Sequence, residues 1–168
     1  MTTAKAGISS PYLSSAVIDN AVSLVTSCRA GKQNVMTASF FAESSHLPVL
    51  VRVAISPETL THDFVSATGW FGLSILASGQ QAWALRCGTV SGRRVGKLTE
   101  LGLRLQASQE GVPLLPDCLT TSLCRVVERV ELTGHTLFVG EIVESFRQSR
   151  LAYRNPLLVS ELTDYLQP

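Results

Sequence analysis

The sequence predicts a single, mainly β domain, a closed or nearly closed antiparallel barrel with a few short helices at its periphery. Two observations lead to this fold class. Many short runs rich in β-branched and aromatic residues alternate with turn residues, whereas few segments have helical character. No linker, internal repeat or low-complexity tract divides the 168 residues, so we expect one domain over residues 1–168, with residues 1–12 as a flexible leader.

The first hairpin is the most informative segment. Residues 24–28 and 34–40 are predicted strands, and the insert of residues 29–33 contains Gly31, which can supply a positive φ. On the second strand, alternate side chains face opposite ways. One face presents Thr37 and Ser39, and the other presents Met36, Ala38 and Phe40. The pattern also fits an ordinary half-buried strand whose threonines serve β-propensity.

The middle of the chain alternates strands and short helices. Residues 49–55 are β-branched and predict a central strand that begins just after Pro48. Residues 62–68 predict a two-turn helix, with Thr61 as its N-cap and Gly69 at its end.

The remaining elements follow from the same rules. They are a strand at residues 70–76, a helix at residues 80–88, and two long strands at residues 119–132 and 135–145. The long strands are joined near Gly134, and the polar residues 91–109 are predicted as a mobile flap of loop and irregular helix. Residues 16–22 fit either a short helix or an extended entry to the first hairpin.

Charge and hydropathy argue against several classes of function. Fourteen basic and 13 acidic side chains give a net charge of +1, and the basic ones are scattered apart from residues 93–97, so nucleic acid is not an expected partner. No stretch approaches the ~18 uncharged apolar residues of a membrane span, and the N-terminus has no apolar signal-peptide core, which predicts a cytoplasmic protein without membrane contact. Hydrophobic residues make up 45% and charged ones 16%, which favours a surface partly covered by another subunit.

The cysteines form no metal or redox motif. Cys28, Cys87, Cys118 and Cys124 include no CxxC pair, so neither a zinc site nor a thioredoxin-type site is predicted. In a reducing compartment we expect free thiols that pack like small hydrophobes. Cys118 and Cys124, the closest pair in sequence, are the candidates for redox pairing.

Three segments contain groups suited to a phosphorylated heterocycle. Asn34, Thr37 and Ser39 offer hydrogen bonds to a polyol or a ring. Residues 56–61 lead into a helix N-terminus, where main-chain N–H groups and the helix dipole favour a phosphate. Lys97, in the flap, can close over that charge. The same residue types also fit a turn asparagine, a plain helix cap and a solvated lysine.

A series of short motifs runs in order over most of the chain. They are Val25-Thr26, Gly31 with Asn34-x-x-Thr37-Ala38-Ser39-Phe40, Pro48 with Val51-x-Val53-x-Ile55, Thr59-x-Thr61, residues 69–76, Gln80, Gly92-Arg93 with Lys97-Leu98, residues 111–114, Leu123-Cys124-Arg125 and residues 134–143. In this order and spacing they resemble the flavin reductase-like, FMN-binding split-barrel family. Each motif is weak alone, but the series covers roughly 140 residues and makes the resemblance specific.

The resemblance implies a six-stranded antiparallel split β-barrel, present as a homodimer that binds one non-covalent FMN per subunit in a groove at the dimer interface. The residues that it places around the flavin ring and ribityl chain are Asn34, Met36, Thr37, Ser39 and Phe40, followed by Val53, Ala54, Ile55 and Ser56. It assigns the flavin phosphate to Thr59, Thr61 and Lys97. His135 matches the family's histidine before the last long strand and is the catalytic candidate, although a histidine there also fits the end of a β-turn.

The implied function is reduction of FMN by NADH or NADPH, with electrons passed to free flavin, a partner oxygenase or another acceptor. FAD stays possible in place of FMN. Two alternatives remain open, namely an FMN-dependent electron carrier without its own nicotinamide site and a non-catalytic barrel that has lost flavin. The second of these is kept open by Glu58, which stands where relatives often have arginine.

Overall fold

Nine β-strands and four α-helices make up the described part of the computed structural model, residues 18–151 and 154–163. In chain order they are β1 (Ser23–Arg29), β2 (Lys32–Ala38), β3 (Phe41–His46), β4 (Val49–Ile55), α1 (Leu60–Thr68), β5 (Trp70–Ile75), α2 (Gln81–Thr89), α3 (Lys97–Glu100), β6 (Gln106–Ala107), β7 (Pro113–Leu114), β8 (Thr120–Leu132), β9 (His135–Arg147) and α4 (Ser160–Thr163). The predicted leader, residues 1–12, lies outside the described residues.

Seven strands form one antiparallel sheet in the order β2-β1-β5-β8-β9-β4-β3, and β6 pairs with β7 separately. Side chains from opposite ends of this order, Ala38 on β2 and Val51 and Val53 on β4, lie in one buried cluster with Val25 and Phe138. The sheet therefore curls until its two ends share a core, as in a barrel. The mainly β class is confirmed, with seven strands in the sheet where six were predicted.

The first hairpin is tighter than predicted. Ala30 and Gly31 both have positive φ, at 49° and 77°. These values are those of the two-residue type I′ turn, which matches the twist of the flanking strands. Arg29 and Lys32 are already paired in the ladder, so the predicted insert of residues 29–33 is too long.

Strand β2 ends at Ala38, two residues before the predicted end at Phe40. Ser39 and Phe40 link it to β3, a strand that was not predicted. The Phe40 carbonyl accepts a hydrogen bond from the Ala54 N–H at 2.9 Å, which holds this link against β4. Strand β3 is an edge strand with few buried side chains, so its sequence lacks the alternation that reveals a strand.

Helix α1 starts earlier than predicted. Its N-cap is Thr59, whose Oγ1 accepts a hydrogen bond from the His62 N–H at 3.1 Å and donates one to the Ser56 carbonyl at 2.9 Å. The predicted cap, Thr61, is a fully buried residue of the first turn instead. Gly69 ends the helix in the left-handed conformation, as predicted.

The other predicted elements agree with the structure to within one or two residues. Strand β4 begins directly after Pro48, and Gln80 precedes α2 as its N-cap. The described part of residues 16–22 is extended, and the Val22 N–H bonds to the Leu157 carbonyl at 2.7 Å. No helix within residues 18–151 and 154–163 has the length and apolar character needed to cross a membrane.

A second core lies between the sheet and the helices α2 and α3. Leu24 and Val35 from the first hairpin meet Ala84 of α2 and Leu98 of α3 in one buried cluster. The predicted flap, residues 91–109, thus contains a short helix that is anchored to the barrel by a buried leucine.

All four cysteines are free, as predicted. Cys118 and Cys124 belong to different core clusters, so the suggested redox pairing is wrong. Burial raises the pKa of each of these two thiols to about 12, which keeps them neutral near pH 7.

Strands β8 and β9 form a long arm. They pair from Thr120 with Arg147 to Leu132 with His135, and Gly134 makes the turn with φ 81°. Strand β5 pairs with β8 only as far as Arg125. Beyond it, the far half of β8 borders only β9 within the described sheet and is largely exposed.

Candidate functional site

A cleft of about 270 Å³ lies between β2, the N-terminus of α1 and the loop after α2. It brings together predicted site residues from three separate segments, namely Asn34, Met36, Thr37, Ser56, Thr59, Thr61 and Lys97. Pockets that enclose a whole drug-sized ligand measure about 300–1,000 Å³. The cleft is therefore suited to one end of a larger molecule.

A buried polar pair forms one wall of the cleft. Asn34, 5% exposed, donates a hydrogen bond from Nδ2 to Oγ1 of the fully buried Thr61 at 2.8 Å. Across the cleft, Gly92 lies so close that a Cβ there would be 1.9 Å from Asn34 Oδ1. Only glycine fits at this position without displacing the asparagine.

The N-terminus of α1 faces the cleft with unpaired helix donors. A helix has no internal partners for its first N–H groups. Thr59 Oγ1 takes the one from His62, while Leu60 and Thr61 line the cleft. This end of the helix has a partial positive charge and suits an anion, but the Glu58 carboxylate lines the same cleft.

Lys97 is buried, not a solvated flap charge. It is 4% exposed, and its Nζ donates to the carbonyls of Cys87 and Val90, both at 2.9 Å. These carbonyls lie at the end of α2, where the last carbonyls have no hydrogen-bond partner within the helix, so the ammonium supplies the missing donor. Burial lowers the pKa of Lys97. An ammonium has three N–H donors, so one remains for a ligand in the cleft that Lys97 lines.

The hydroxyl of Thr37 is used to fix α2. Thr37 Oγ1 donates to the Ala84 carbonyl at 2.5 Å, and Gly88 approaches the Thr37 side chain closely. Cys87 also lines the cleft, where burial raises the pKa of its thiol to about 11 and keeps it neutral. The cleft wall near α2 is thus held by contacts within the chain.

Two of the other predicted site residues form a separate pair on the outer surface. The rings of Phe40 and His135 meet edge to face with centroids 5.9 Å apart, and Phe40 is 43% exposed. The β4–β9 ladder pairs Ile55 with Thr136. His135 and Ser56 are the next residues outward on these strands, so the pair adjoins the cleft at Ser56, which lines it.

Three of the residues predicted along the flavin, Val53, Ile55 and Ser39, do not line the cleft. Val53 and Ile55 are fully buried in the barrel core, so their side chains face away from any ligand outside it. Strand alternation puts Ala54 on the opposite, outer face. Ser39 lies in the β2–β3 link and does not line the cleft. Val53 and Ile55 can therefore border a ligand on this strand only through their main chain.

A polar chain beside the site was not predicted. His62 Nε2 and Thr136 Oγ1 are 2.8 Å apart, and Thr136 Oγ1 donates to Glu131 Oε2 at 2.8 Å. Since the hydroxyl proton goes to Glu131, His62 Nε2 is the donor in its contact. The chain joins the first turn of α1 to the strand that begins at His135. Burial, with a smaller effect of Arg129, lowers the pKa of His62.

The end of α2 and the loop that follows it supply further cleft residues that sequence reasoning missed. They are Cys87, Gly88 and Thr89 of the helix and Val90, Ser91 and Gly92 of the loop. The only sequence signal for them was the position of Gly92-Arg93 before Lys97. An ion pair between Arg93 and Asp63, with Nη2 2.7 Å from Oδ2, holds this loop to α1.

Comparison with known proteins identifies the family. A family model described as flavin reductase like domain matches residues 15–161. The chain belongs to this family. An uncharacterized protein of Archaeoglobus fulgidus is 37% identical to this flavin reductase-like chain over 113 residues, which are 67% of this chain and 64% of that protein. An NADH:riboflavin 5'-phosphate oxidoreductase of Streptomyces pristinaespiralis is 33% identical over 115 residues, 68% of this chain and 63% of that protein.

A solved structure supports the fold. The NADH:FAD oxidoreductase of Streptomyces globisporus C-1027 superposes with a TM-score of 0.78 at 22% identity, covering 92% of this chain and 93% of that one. The predicted family and split-barrel fold are confirmed. The matched region spans slightly less than two thirds of each of the two curated relatives.

Proposed function

We propose that the protein is an NAD(P)H-dependent flavin reductase that binds FMN without a covalent bond. The phosphate end occupies the cleft, and the ring lies over the outer surface at Phe40, Ala54 and His135. The observation that most supports this is the continuity of the two regions at Ser56. The names of the relatives, which include an NADH:riboflavin 5'-phosphate oxidoreductase, agree with it.

The residues of the cleft fit a phosphorylated tail. The N–H groups at the start of α1 are available as donors, and Lys97 has one N–H beyond the two that it gives to carbonyls. Asn34 and Gly92 narrow the cleft beside Thr61. All of these donors are neutral apart from Lys97, and the Glu58 carboxylate that lines the same cleft repels an anion.

The outer surface fits a flat ring. Bound flavin supplies the hydride acceptor and a nicotinamide cofactor supplies the hydride, so the protein has to position the rings and exclude water. Phe40 and His135 offer an aromatic edge and a ring nitrogen beside the cleft. The imidazole of His135 packs edge to face with Phe40, and its ring nitrogens can form hydrogen bonds.

The outer surface also supports a homodimer. The register places Val130, Leu137 and Ala54 side by side across β8, β9 and β4, and pairs Leu132 with His135. Val130 is 38% and Leu132 50% exposed. Apolar side chains clustered on an exposed sheet face are typical of an interface. A second copy of the chain on this face would cover the ring position and shield it from water.

The visible spectrum of the purified protein tests this function, before and after addition of FMN and then of NADH or NADPH without oxygen. Bound flavin that bleaches with one of the nicotinamides is the expected result. Bound flavin that bleaches only with dithionite would favour an electron carrier. Absence of flavin binding would contradict the proposal. A cytoplasmic location and a partner oxygenase as acceptor stay predictions of the sequence.

A further inference from the structure

Glu58 is the anionic side chain at the phosphate end of the cleft. It directly precedes the N-cap Thr59, lines the cleft and is exposed to solvent. A carboxylate at this place interacts favourably with the positive end of α1. It therefore offsets part of the same potential that would attract a phosphate.

Two cations near the cleft, Lys97 and Arg93, are already engaged within the chain. Lys97 directs two of its three N–H groups to the carbonyls of Cys87 and Val90. Arg93 is paired with Asp63 at the cleft rim. The charged side chains that line the cleft, Glu58 and Lys97, sum to zero. A phosphate monoester has a charge of about −1.5 to −2 at pH 7 and meets lining side chains without net charge.

A neutral tail meets no such opposition. The ribityl hydroxyls of a flavin need donors and acceptors, which the start of α1 and the polar groups that line the cleft supply. The cleft thus suits the polyol at least as well as the phosphate.

We propose that Glu58 determines the specificity of the flavin site by offsetting its preference for a phosphorylated tail, so that riboflavin and FMN bind with similar affinity. This inference rests on the proposed function, because it concerns the flavin cleft.

Fluorescence titration of the full chain with riboflavin and with FMN tests the inference on three proteins. They are the native protein, Glu58→Gln, and the control Glu110→Gln, which removes an equally exposed carboxylate that does not line the cleft. We expect Glu58→Gln to tighten FMN binding about threefold to tenfold, as for removal of a nearby like charge in a partly solvated site. Riboflavin binding should stay within about twofold, since a neutral tail has no Coulomb interaction with Glu58.

Salt supplies an independent readout. The gain in FMN affinity should shrink in about 1 M salt, where the Debye length is roughly 3 Å. Glu110→Gln should leave both affinities unchanged.

The outcomes separate the two proposals. Native protein that prefers FMN over riboflavin about 100-fold, with no change in Glu58→Gln, would overturn the inference and leave the flavin site intact, because such a ratio equals the full value of a strong anion contact. Equal tightening of both flavins would also overturn it, since that is a change in cleft shape. Failure of both flavins to bind any of the three proteins would contradict the proposed function itself.

Discussion

The cleft and the outer surface at Phe40, Ala54 and His135, called the ring surface below, differ in how many of their polar and apolar groups are already buried by contacts within one chain. In the cleft, Asn34, Thr61 and Lys97 are almost fully buried and hydrogen-bonded within the chain. On the ring surface, Phe40 and Leu132 are 43% and 50% exposed. A site residue that is already fixed needs little ordering when a ligand binds, whereas exposed apolar groups gain most when something covers them. The difference fits the proposal that the cleft is preorganised and that a second copy of the chain covers the ring surface.

The ring surface should therefore be the more sensitive to loss of the partner. The double change Val130→Glu and Leu132→Glu places charges on the proposed interface. We expect a monomer at micromolar concentration and flavin binding weakened about 100-fold or more, because a buried unpaired charge is among the most costly interface changes. Sedimentation and flavin titration measure the two effects.

A matched control separates this effect from a general response to new charges. Leu105→Glu alters a leucine of similar exposure, 40%, after α3. It should leave mass and flavin affinity unchanged. A double variant that stays dimeric with native flavin affinity would show that the face is not the interface.

Replacement of Lys97 should lower both the stability of the protein and its affinity for FMN. Lys97→Met keeps an unbranched side chain of similar length but leaves the carbonyls of Cys87 and Val90 without their charged donor. We expect the free energy of unfolding to fall by about 2–3 kcal/mol and FMN binding to weaken about tenfold. Urea denaturation and flavin titration measure these changes. Lys32→Met, at an exposed position of β2, is the control, and a Lys97 variant as stable as this control would contradict the account.

His135 should affect turnover and leave stability nearly unchanged. It is only partly buried and touches Phe40 alone among the aromatic contacts of the described residues. We expect His135→Ala to lower kcat/KM for the nicotinamide cofactor about tenfold, less than the roughly 10²- to 10⁴-fold of a positioned acid–base group, because His135 acts mainly by contact with the ring. Steady-state kinetics with the exposed His46→Ala as control measure this. Equal rates for the two variants would remove His135 from the site.

The smallest expected effect is a pH dependence at His62, between the two regions. The pKa of His62 is lowered from its ordinary value of 6.5, chiefly by burial. The folded protein thus binds this proton less readily than the unfolded chain, so the stability due to neutral His62 is present above pH 6.5 and is lost as the pH falls below it. Replacing His62 with Gln should reduce the loss of stability between pH 7 and pH 5. Urea midpoints at several pH values, with His46→Gln as control, measure the change, and parallel curves for His62→Gln and the native protein would contradict it.

Local sequence signals predicted the elements that depend on local chemistry. The glycine at residue 31, the alternation of residues 34–38 and the glycine that ends α1 each require a particular backbone, so the hairpin and the helix end were predictable. Thr59 and Thr61 are equally good N-caps by residue type. The choice between them depends on the bond from Asn34 to Thr61, which only tertiary packing creates.

The parts of the site that were missed come from distant segments. Strand β3 has a polar, exposed sequence and is recognised only by its pairing with β4. Gly92 contributes by leaving room beside Asn34, which no local pattern reveals. Val53 and Ile55 were assigned to the flavin because their strand passes it, but the alternation of the strand turns them into the core. The family resemblance located the strand, and the direction of each side chain depended on register.

Sedimentation velocity of the FMN-loaded protein, followed in the visible band of flavin, tests whether a second copy of the chain completes the site. We expect the flavin absorbance to sediment at twice the chain mass with one flavin per chain, and to leave this species when Val130 and Leu132 are both changed to Glu. Flavin that sediments with a monomer at native affinity would contradict the claim that a second copy of the chain completes the site.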